Sequence, residues 1–142
     1  DGRLHVRARS AMLGYLNAPS PFDGDGFFDT GDVVAGDGEW MRFLGRETEI
    51  INVGGRKVHP SQVESVLLDM DNVADAAVTS EPNAITGQVV VARVRVIAPE
   101  AAEQLKARMR RFCASRLEAW QVPARVSVTT DPLHSTRFKR IR

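Results

Sequence analysis

The hydrophobic pattern of this chain changes at Gly45-Arg46, and this change constrains the fold more than any other feature. Upstream, residues 3–9 alternate apolar and basic side chains, which is the period-2 pattern of a strand with one solvent-exposed face. Asp37-Gly38 lies between two apolar runs and predicts a β-hairpin, because glycine tolerates positive φ. We therefore expect residues 1–44 to form strands and turns.

Downstream of Gly45, helical and strand patterns alternate. Ser61 and Glu64 have the spacing of a capping box and predict the start of a helix. An apolar stripe that begins at Leu105 and ends at Trp120 predicts a second helix, with Pro99 near its start. Strands are predicted at 50–53, 73–79, 88–97 and 125–129. The predicted fold class is α+β, a small domain with a mixed sheet and two main helices, preceded by a β-rich segment.

Composition excludes several classes of protein. With 43% hydrophobic and 26% charged residues in a chain of 142, we expect a folded domain rather than a disordered chain. A net charge of +1 argues against a dedicated nucleic-acid binder, and no apolar run approaches the ~20 residues of a transmembrane helix. The single cysteine, Cys113, fits a reducing compartment and hence a cytoplasmic location. Because the chain opens at Asp1 without an initiator methionine, we expect a fragment or a processed chain.

The run FFDTGD, residues 27–32, ends in the carboxylate of Asp32. A carboxylate in this position can accept hydrogen bonds from both hydroxyls of a ribose, because the preceding glycine lets the backbone approach a ligand closely. Loops rich in Asp and Gly also form Asx turns that bind nothing. On its own, the run fits either interpretation.

Residues 45–64 read GRETEIINVGGRKVHPSQVE. Arg46 offers a planar guanidinium suited to phosphate or paired oxygens, whereas Lys57 offers a point charge. Gly54 and Gly55 fit either the passage of a slender ligand or a tight strand-to-helix turn that requires positive φ, and the two are compatible. His59 is interpreted as structural, and we predict no metal site because no second histidine or cysteine has ligand spacing.

The last residues, Ser135 to Arg142, read STRFKRIR. Lys139 in this run is either a catalytic cation or part of a solvated basic tail. The basic residues of the second predicted helix raise a similar choice between a solvated face and a dock for a phosphate group or an acidic partner protein. They are Lys106, Arg108, Arg110, Arg111 and Arg116.

In their order and spacing, these three segments resemble the C-terminal portion of the AMP-forming acyl-adenylating enzymes, the superfamily of acyl-CoA synthetases, AMP-dependent ligases and luciferases. The resemblance implies that Asp32 holds the ribose of ATP and AMP, and that Arg46 and Lys57 contact the nucleotide. It also implies that Gly54 and Gly55 flank the tunnel for phosphopantetheine. Two further roles are implied at positions that depart from the family. Thr48 is the hinge, where the family commonly has Asp or Lys, and Lys139 is the cation of adenylation, with Phe138 in place of the family's glycine.

The resemblance also implies a domain organisation. Residues 1–44 would be the end of a large adenylating domain, 45–48 a hinge and 49–142 a mobile C-terminal domain. The implied reaction joins a carboxylic acid to CoA through acyl-AMP, using ATP and Mg²⁺, and the Mg²⁺ site lies outside this chain. Because the family's glycine-rich phosphate loop and an acyl pocket are missing from the sequence, we expect the isolated chain to be inactive and to work with the upstream large domain. Two alternatives remain, namely a module that loads a carrier-protein thiol and a non-catalytic interaction domain.

Overall fold

The computed structural model describes residues 2–133 of the chain. The chain divides into two compact units, Asp1–Thr48 and Glu49–Arg142. A single 3₁₀ turn, Glu47–Glu49, spans the point of division. The two units are described separately below.

The first unit is a three-stranded antiparallel sheet in the order β1-β2-β3. Its strands are β1 (Gly2–Val6), β2 (Phe28–Asp37) and β3 (Trp40–Arg46). The predicted hairpin between β2 and β3 is confirmed, but its two loop residues are Gly38 and Glu39, one position later than expected. Gly38 has φ +63°, which explains why a glycine is needed at the turn.

The described part of the second unit, residues 49–133, contains five strands and two helices, and its α+β class agrees with the prediction. The elements are β4 (Ile51–Val53), β5 (Arg56–Val58), α1 (Pro60–Leu68), β6 (Val73–Asn83), β7 (Gly87–Val96), α2 (Ala102–Ala114) and β8 (Arg125–Thr129). The sheet has the order β5-β4-β7-β6, and β8 also pairs with β7. Since β8 runs parallel to β7 while the other pairs are antiparallel, the sheet is mixed.

One face of β7 carries the core of the second unit. Val90, Ala92 and Val94 point to this face and are at most 1% exposed. Both helices contribute to the same cluster, for example through Leu67 of α1 and Leu105 of α2, which are fully buried. Burying a side chain of this size stabilises the fold by about 1.5–3 kcal/mol. The sheet and the two helices are therefore held together by one apolar layer.

The predicted capping box is wrong. Helix α1 begins at Pro60, after His59 as N-cap, and the cap makes no side-chain hydrogen bond. Proline suits the first position because it has no N–H to leave unpaired there. Glu64 is 3% exposed, and its carboxylate accepts a hydrogen bond of 2.8 Å from the backbone N–H of Val78 in β6. Glu64 thus connects the helix to the sheet.

Helix α2 is shorter than predicted. It starts at Ala102, after Pro99 and Glu100, and ends at Ala114 with Ser115 as C-cap. The apolar stripe continues beyond this end because Leu117 and Trp120 still pack against the core from the turns that follow the helix. The periodicity therefore identified the buried side chains correctly and overestimated the length of the helix.

Candidate functional site

The run FFDTGD forms a hydrogen-bonded turn inside β2. The carboxylate of Asp29 accepts a hydrogen bond of 2.9 Å from the N–H of Gly31, which has φ +70°. The hydroxyl of Thr30 accepts one of 3.1 Å from the N–H of Asp32. The pKa of Asp29 is lowered mainly by the Gly31 N–H and also by the positive charge of Arg3, against an opposing effect of burial. The Asx turn is thus made by Asp29 and not by Asp32.

The structure brings Asp32 and Arg46 together. They are cross-strand partners in β2 and β3, and Nε of Arg46 lies 3.4 Å from Oδ1 of Asp32. The side chain of Asp32 is 22% exposed and that of Arg46 is 63% exposed. The side chains of Asp29 and Thr30 accept the backbone hydrogen bonds of the turn. The carboxylate of Asp32 instead pairs with the guanidinium of Arg46. The pair presents an acceptor and a charged donor on one surface.

Thr48 is exposed and lies in the 3₁₀ turn Glu47–Glu49, where the first compact unit ends. The preceding residue, Glu47, is tied to the first unit by an ion pair of 3.3 Å with Arg3 of β1. Sequence reasoning overlooked Arg3, which also pairs with Asp29. No local signal indicates these pairs, because Arg3 is distant from both acids in sequence.

Gly54 and Gly55 form the two-residue loop between β4 and β5, where Val53 pairs with Arg56. Their φ angles are +57° and +82°, as a type I′ hairpin turn requires. The turn joins two strands, which corrects the expected strand-to-helix turn, and β5 itself was not predicted. A Cβ added at Gly55 would meet no atom within 4 Å. The turn therefore leaves open space at Gly55, and the passage of a ligand there remains a prediction.

Lys57 is exposed on β5, opposite Asn52 of β4. His59, two residues further on, is 7% exposed. The pKa of His59 is lowered, first by burial and then by the positive charge of Lys57. This burial agrees with the structural interpretation of His59, and the contact of Lys57 with a nucleotide remains a prediction.

Sequence reasoning missed a cation–π contact between Arg56, which follows the Gly54-Gly55 turn, and Trp120. The guanidinium of Arg56 lies over the ring of Trp120, 3.9 Å from its centroid. The side-chain amide of Gln121 donates a hydrogen bond of 3.3 Å to Gln62 of α1. Nothing in the sequence links these positions, because the contacts depend on how α1 and the segment after α2 meet.

The basic residues of α2 do not act as one patch. Arg108 donates two hydrogen bonds to the carboxylate of Glu100, at 3.2 and 2.7 Å. Arg116, beyond the end of α2, lies over the ring of Phe112, 3.7 Å from its centroid. Arg108 and Arg116 are engaged within the domain, so the alternative of a docking face would have to rely on the remaining cations of the set.

Three remaining expectations from the sequence concern the C-terminal motif, metal ions and membranes. Lys139 and the rest of the C-terminal motif fall beyond residue 133. Among residues 2–133, no group of three or more His, Cys, Asp or Glu side chains is arranged to hold a metal ion. In the same part of the chain, no helix has the length and apolar character that crossing a membrane requires.

Comparison with known proteins identifies the family of the chain. A family model described as the AMP-binding enzyme C-terminal domain matches residues 62–139. The chain belongs to this family. The resemblance noted from the sequence motifs is thereby confirmed, and the α+β fold of the second unit is the one expected for it.

Individual relatives extend the similarity to nearly the whole chain. The 2-succinylbenzoate–CoA ligase of Geobacillus kaustophilus is 35% identical over 145 residues, covering 99% of this chain and 29% of the ligase. MenE of Bacillus subtilis, solved with the acyl-adenylate intermediate OSB-AMP, is 29% identical with a TM-score of 0.85, covering 98% of this chain and 29% of MenE. ATP-bound MatB of Rhodopseudomonas palustris is 28% identical with a TM-score of 0.84, covering 98% of this chain and 28% of MatB. The chain thus spans less than a third of the length of these relatives.

Proposed function

We propose that this chain is the C-terminal part of an AMP-forming acyl-CoA ligase. The observation that carries the proposal is the 35% identity to a CoA ligase over 99% of the chain. In this proposal the whole protein activates a carboxylic acid with ATP and transfers the acyl group from acyl-AMP to CoA. Residues 1–44 belong to the large adenylating domain, 45–48 form the hinge and 49–142 form the mobile domain.

Asp32 and Arg46 are proposed to bind the nucleotide. The carboxylate of Asp32 accepts hydrogen bonds from the two ribose hydroxyls, while Arg46 directs a permanent positive charge to the same ligand. Their separation of 3.4 Å supports a shared ligand, since both side chains reach one surface of the β2–β3 pair. Lys57 adds a point charge toward a phosphate. The ATP in MatB and the AMP in a second MenE structure support the nucleotide class.

Thr48 is proposed as the pivot of the mobile domain. It is exposed, and the ion pair of Glu47 with Arg3 fixes the residue before it to the first unit. Torsion change at one position then turns everything that follows, which is how a hinge gates two half-reactions. After adenylation, this rotation would bring Gly54 and Gly55 to the incoming thiol, and the open space at Gly55 fits a narrow ligand arm.

Lys139 is proposed as the cation of the first half-reaction. The carboxylate oxygen of the acid attacks the α-phosphorus of ATP, the bond to pyrophosphate breaks, and negative charge gathers on the α-phosphate. A lysine ammonium beside these oxygens stabilises that charge. A MenE structure contains ATP and Mg²⁺, and residues 2–133 of this chain include no group of three or more His, Cys, Asp or Glu side chains arranged to hold a metal ion, so no residue among them is proposed as a metal ligand.

ATP–pyrophosphate exchange in the whole protein, expressed from its complete reading frame, tests the proposal. Exchange should occur with one class of carboxylic acid and fall at least ~100-fold in Lys139→Ala. Arg140→Ala is the matched control, because it removes a neighbouring cation of the same basic run and should retain exchange. Exchange that survives in Lys139→Ala, or falls equally in both variants, would remove the catalytic assignment of Lys139.

Three further arms of the experiment test the rest of the proposal. Asp32→Asn should raise the KM for ATP, because an amide offers one acceptor oxygen where the carboxylate offers two. CoA should accept the acyl group, and transfer to a carrier-protein thiol alone would favour the carrier-loading alternative. The isolated chain of 142 residues should form no acyl-AMP. No exchange by the whole protein with any acid would refute the ligase assignment.

A further inference from the structure

Within residues 2–133, the second unit also contains a cavity that none of the proposed catalytic or nucleotide-binding residues lines. Its volume is about 350 Å³, and it lies between α2 and residues 122–126. Leu67, Met109 and Cys113 line it and are at most 1% exposed, so it reaches the apolar core. Val122 and Val126 line it as well. The volume is at the lower end of the range of about 300–1,000 Å³ that small-molecule sites occupy.

Charged side chains also line the cavity. Lys106 pairs with Glu103 at 2.9 Å, and both contribute to the lining. Arg125 contributes as well and is paired with Glu81. Arg110 is the exception, because within residues 2–133 its side chain forms no ion pair or hydrogen bond with another residue. With respect to residues 2–133, the polar lining therefore carries one positive charge that has no acidic partner.

We propose that this cavity binds a small monocarboxylate with an apolar chain. The chain would lie against Leu67 and Met109, and the carboxylate would meet Arg110. An arginine fork matches the two oxygens of a carboxylate. Because the other two cations already have acidic partners, the site matches one negative charge and not the several charges of a nucleotide or a polyphosphate. The inference rests on the cavity alone and does not depend on the proposed ligase activity.

The four methionines of the chain provide a direct probe. In the chain of 142 residues with ¹³C-labelled methionine methyl groups, titration with octanoate should shift the signal of Met109. Met12 and Met41, in the first unit, should stay unchanged and report non-specific binding. Octanoate should also slow the reaction of Cys113, the single cysteine, with a maleimide, since Cys113 lines the cavity.

Matched variants distinguish the contribution of the Arg110 charge to octanoate affinity from the contribution of the cavity. Arg110→Gln should weaken octanoate binding about tenfold, the change expected from loss of one charge-assisted hydrogen bond. Arg111→Gln is the control, because Arg111 is exposed on α2 and does not line the cavity. Ala107→Phe should abolish binding by filling the cavity from an exposed position, which leaves the core intact. 1-Octanol should bind at least about tenfold more weakly than octanoate, because it has no charge for Arg110.

Four results of the octanoate experiments would overturn the proposal. They are no shift of Met109 at millimolar octanoate, equal shifts of Met12 and Met41, equal affinity for octanoate and 1-octanol, and equal loss of affinity in the two arginine variants. If inorganic phosphate shifted Met109 as octanoate does, the cavity would be a simple anion site and the proposal would be wrong. Circular dichroism of each variant establishes that the fold is retained.

Discussion

The Gly54-Gly55 turn allows a quantitative test of the structure. Gly54 has φ +57°, and a Cβ added there would lie 3.8 Å from Thr86, an ordinary contact. Gly54→Ala should therefore act through backbone strain alone, which is about 1–2 kcal/mol for an L-residue in the left-handed region. The lower entropy of the unfolded variant offsets about 0.4–1 kcal/mol of this. We expect a net loss of about 1 kcal/mol, or ~4–8 °C in melting temperature for a domain of this size.

Gly54→Asn is the matched control for this prediction. Asparagine tolerates the left-handed region, and Asn-Gly is the dipeptide that type I′ turns favour, so this variant should be as stable as the parent. Urea unfolding followed by Trp120 fluorescence, in a Trp40→Phe background, gives both free energies of unfolding. Equal destabilisation by alanine and asparagine would refute the reasoning, because the loss would then come from contacts of the new side chain.

Three further predictions concern the second unit. The pKa of His59 is lowered by burial and by Lys57, so the stability it contributes is present above about pH 6.5 and is lost as the pH falls. His59→Asn should therefore lose less unfolding free energy than the parent between pH 7.5 and 5.5, and an identical pH profile would contradict this. Leu105 is fully buried, so Leu105→Ala should lower the free energy of unfolding of the unit, measured by urea unfolding, by about 2–5 kcal/mol. A loss below about 1 kcal/mol would contradict the position of Leu105 in the core. Arg56→Gln should lose about 0.5–1 kcal/mol from the stack on Trp120 and change its fluorescence, whereas Lys57→Gln should leave that fluorescence unchanged.

The elements that sequence reasoning predicted correctly are those specified by neighbouring residues. The β2–β3 hairpin and the positive φ of Gly54 and Gly55 follow from glycine, which adopts positive φ without strain, although the Gly54-Gly55 turn was expected to lead into a helix and leads into β5. Strand β8, Arg125–Thr129, agrees with its predicted bounds because an alternating run follows directly after Pro123. In the candidate site, the pairing of Asp32 with Arg46 could not be predicted from the sequence, because it depends on the one-position change of the loop and on a register shift between Val33 and Val34.

The features that were missed depend on contacts between distant residues. Glu64 was predicted as a capping residue because of its spacing from Ser61, yet its carboxylate accepts the N–H of Val78. Strand β6 lies at one edge of the described sheet, and an outward N–H on an edge strand needs a partner from outside the sheet. The packing of α1 on β6 decides whether the Glu64 carboxylate accepts a hydrogen bond from its own helix or from the strand. The spacing of residues near Glu64 in the sequence does not reveal this packing. The stack of Arg56 on Trp120 was missed for the same reason.

The residues proposed to face the thiol are held by long-range packing more than by local structure. Helices α1 and α2 have 9 and 13 residues, and neither N-cap makes a side-chain hydrogen bond. Helices of this length are marginal in isolation, so both depend on the apolar face of β7. Strand β4 meets β7 at a single pair, Val53 with Gly87, and the N–H of Gly54 adds one hydrogen bond of 2.9 Å to Thr86. A substitution in the core of β7 would therefore disturb the Gly54-Gly55 turn without touching it, and lost activity in such a variant would not by itself identify a catalytic residue.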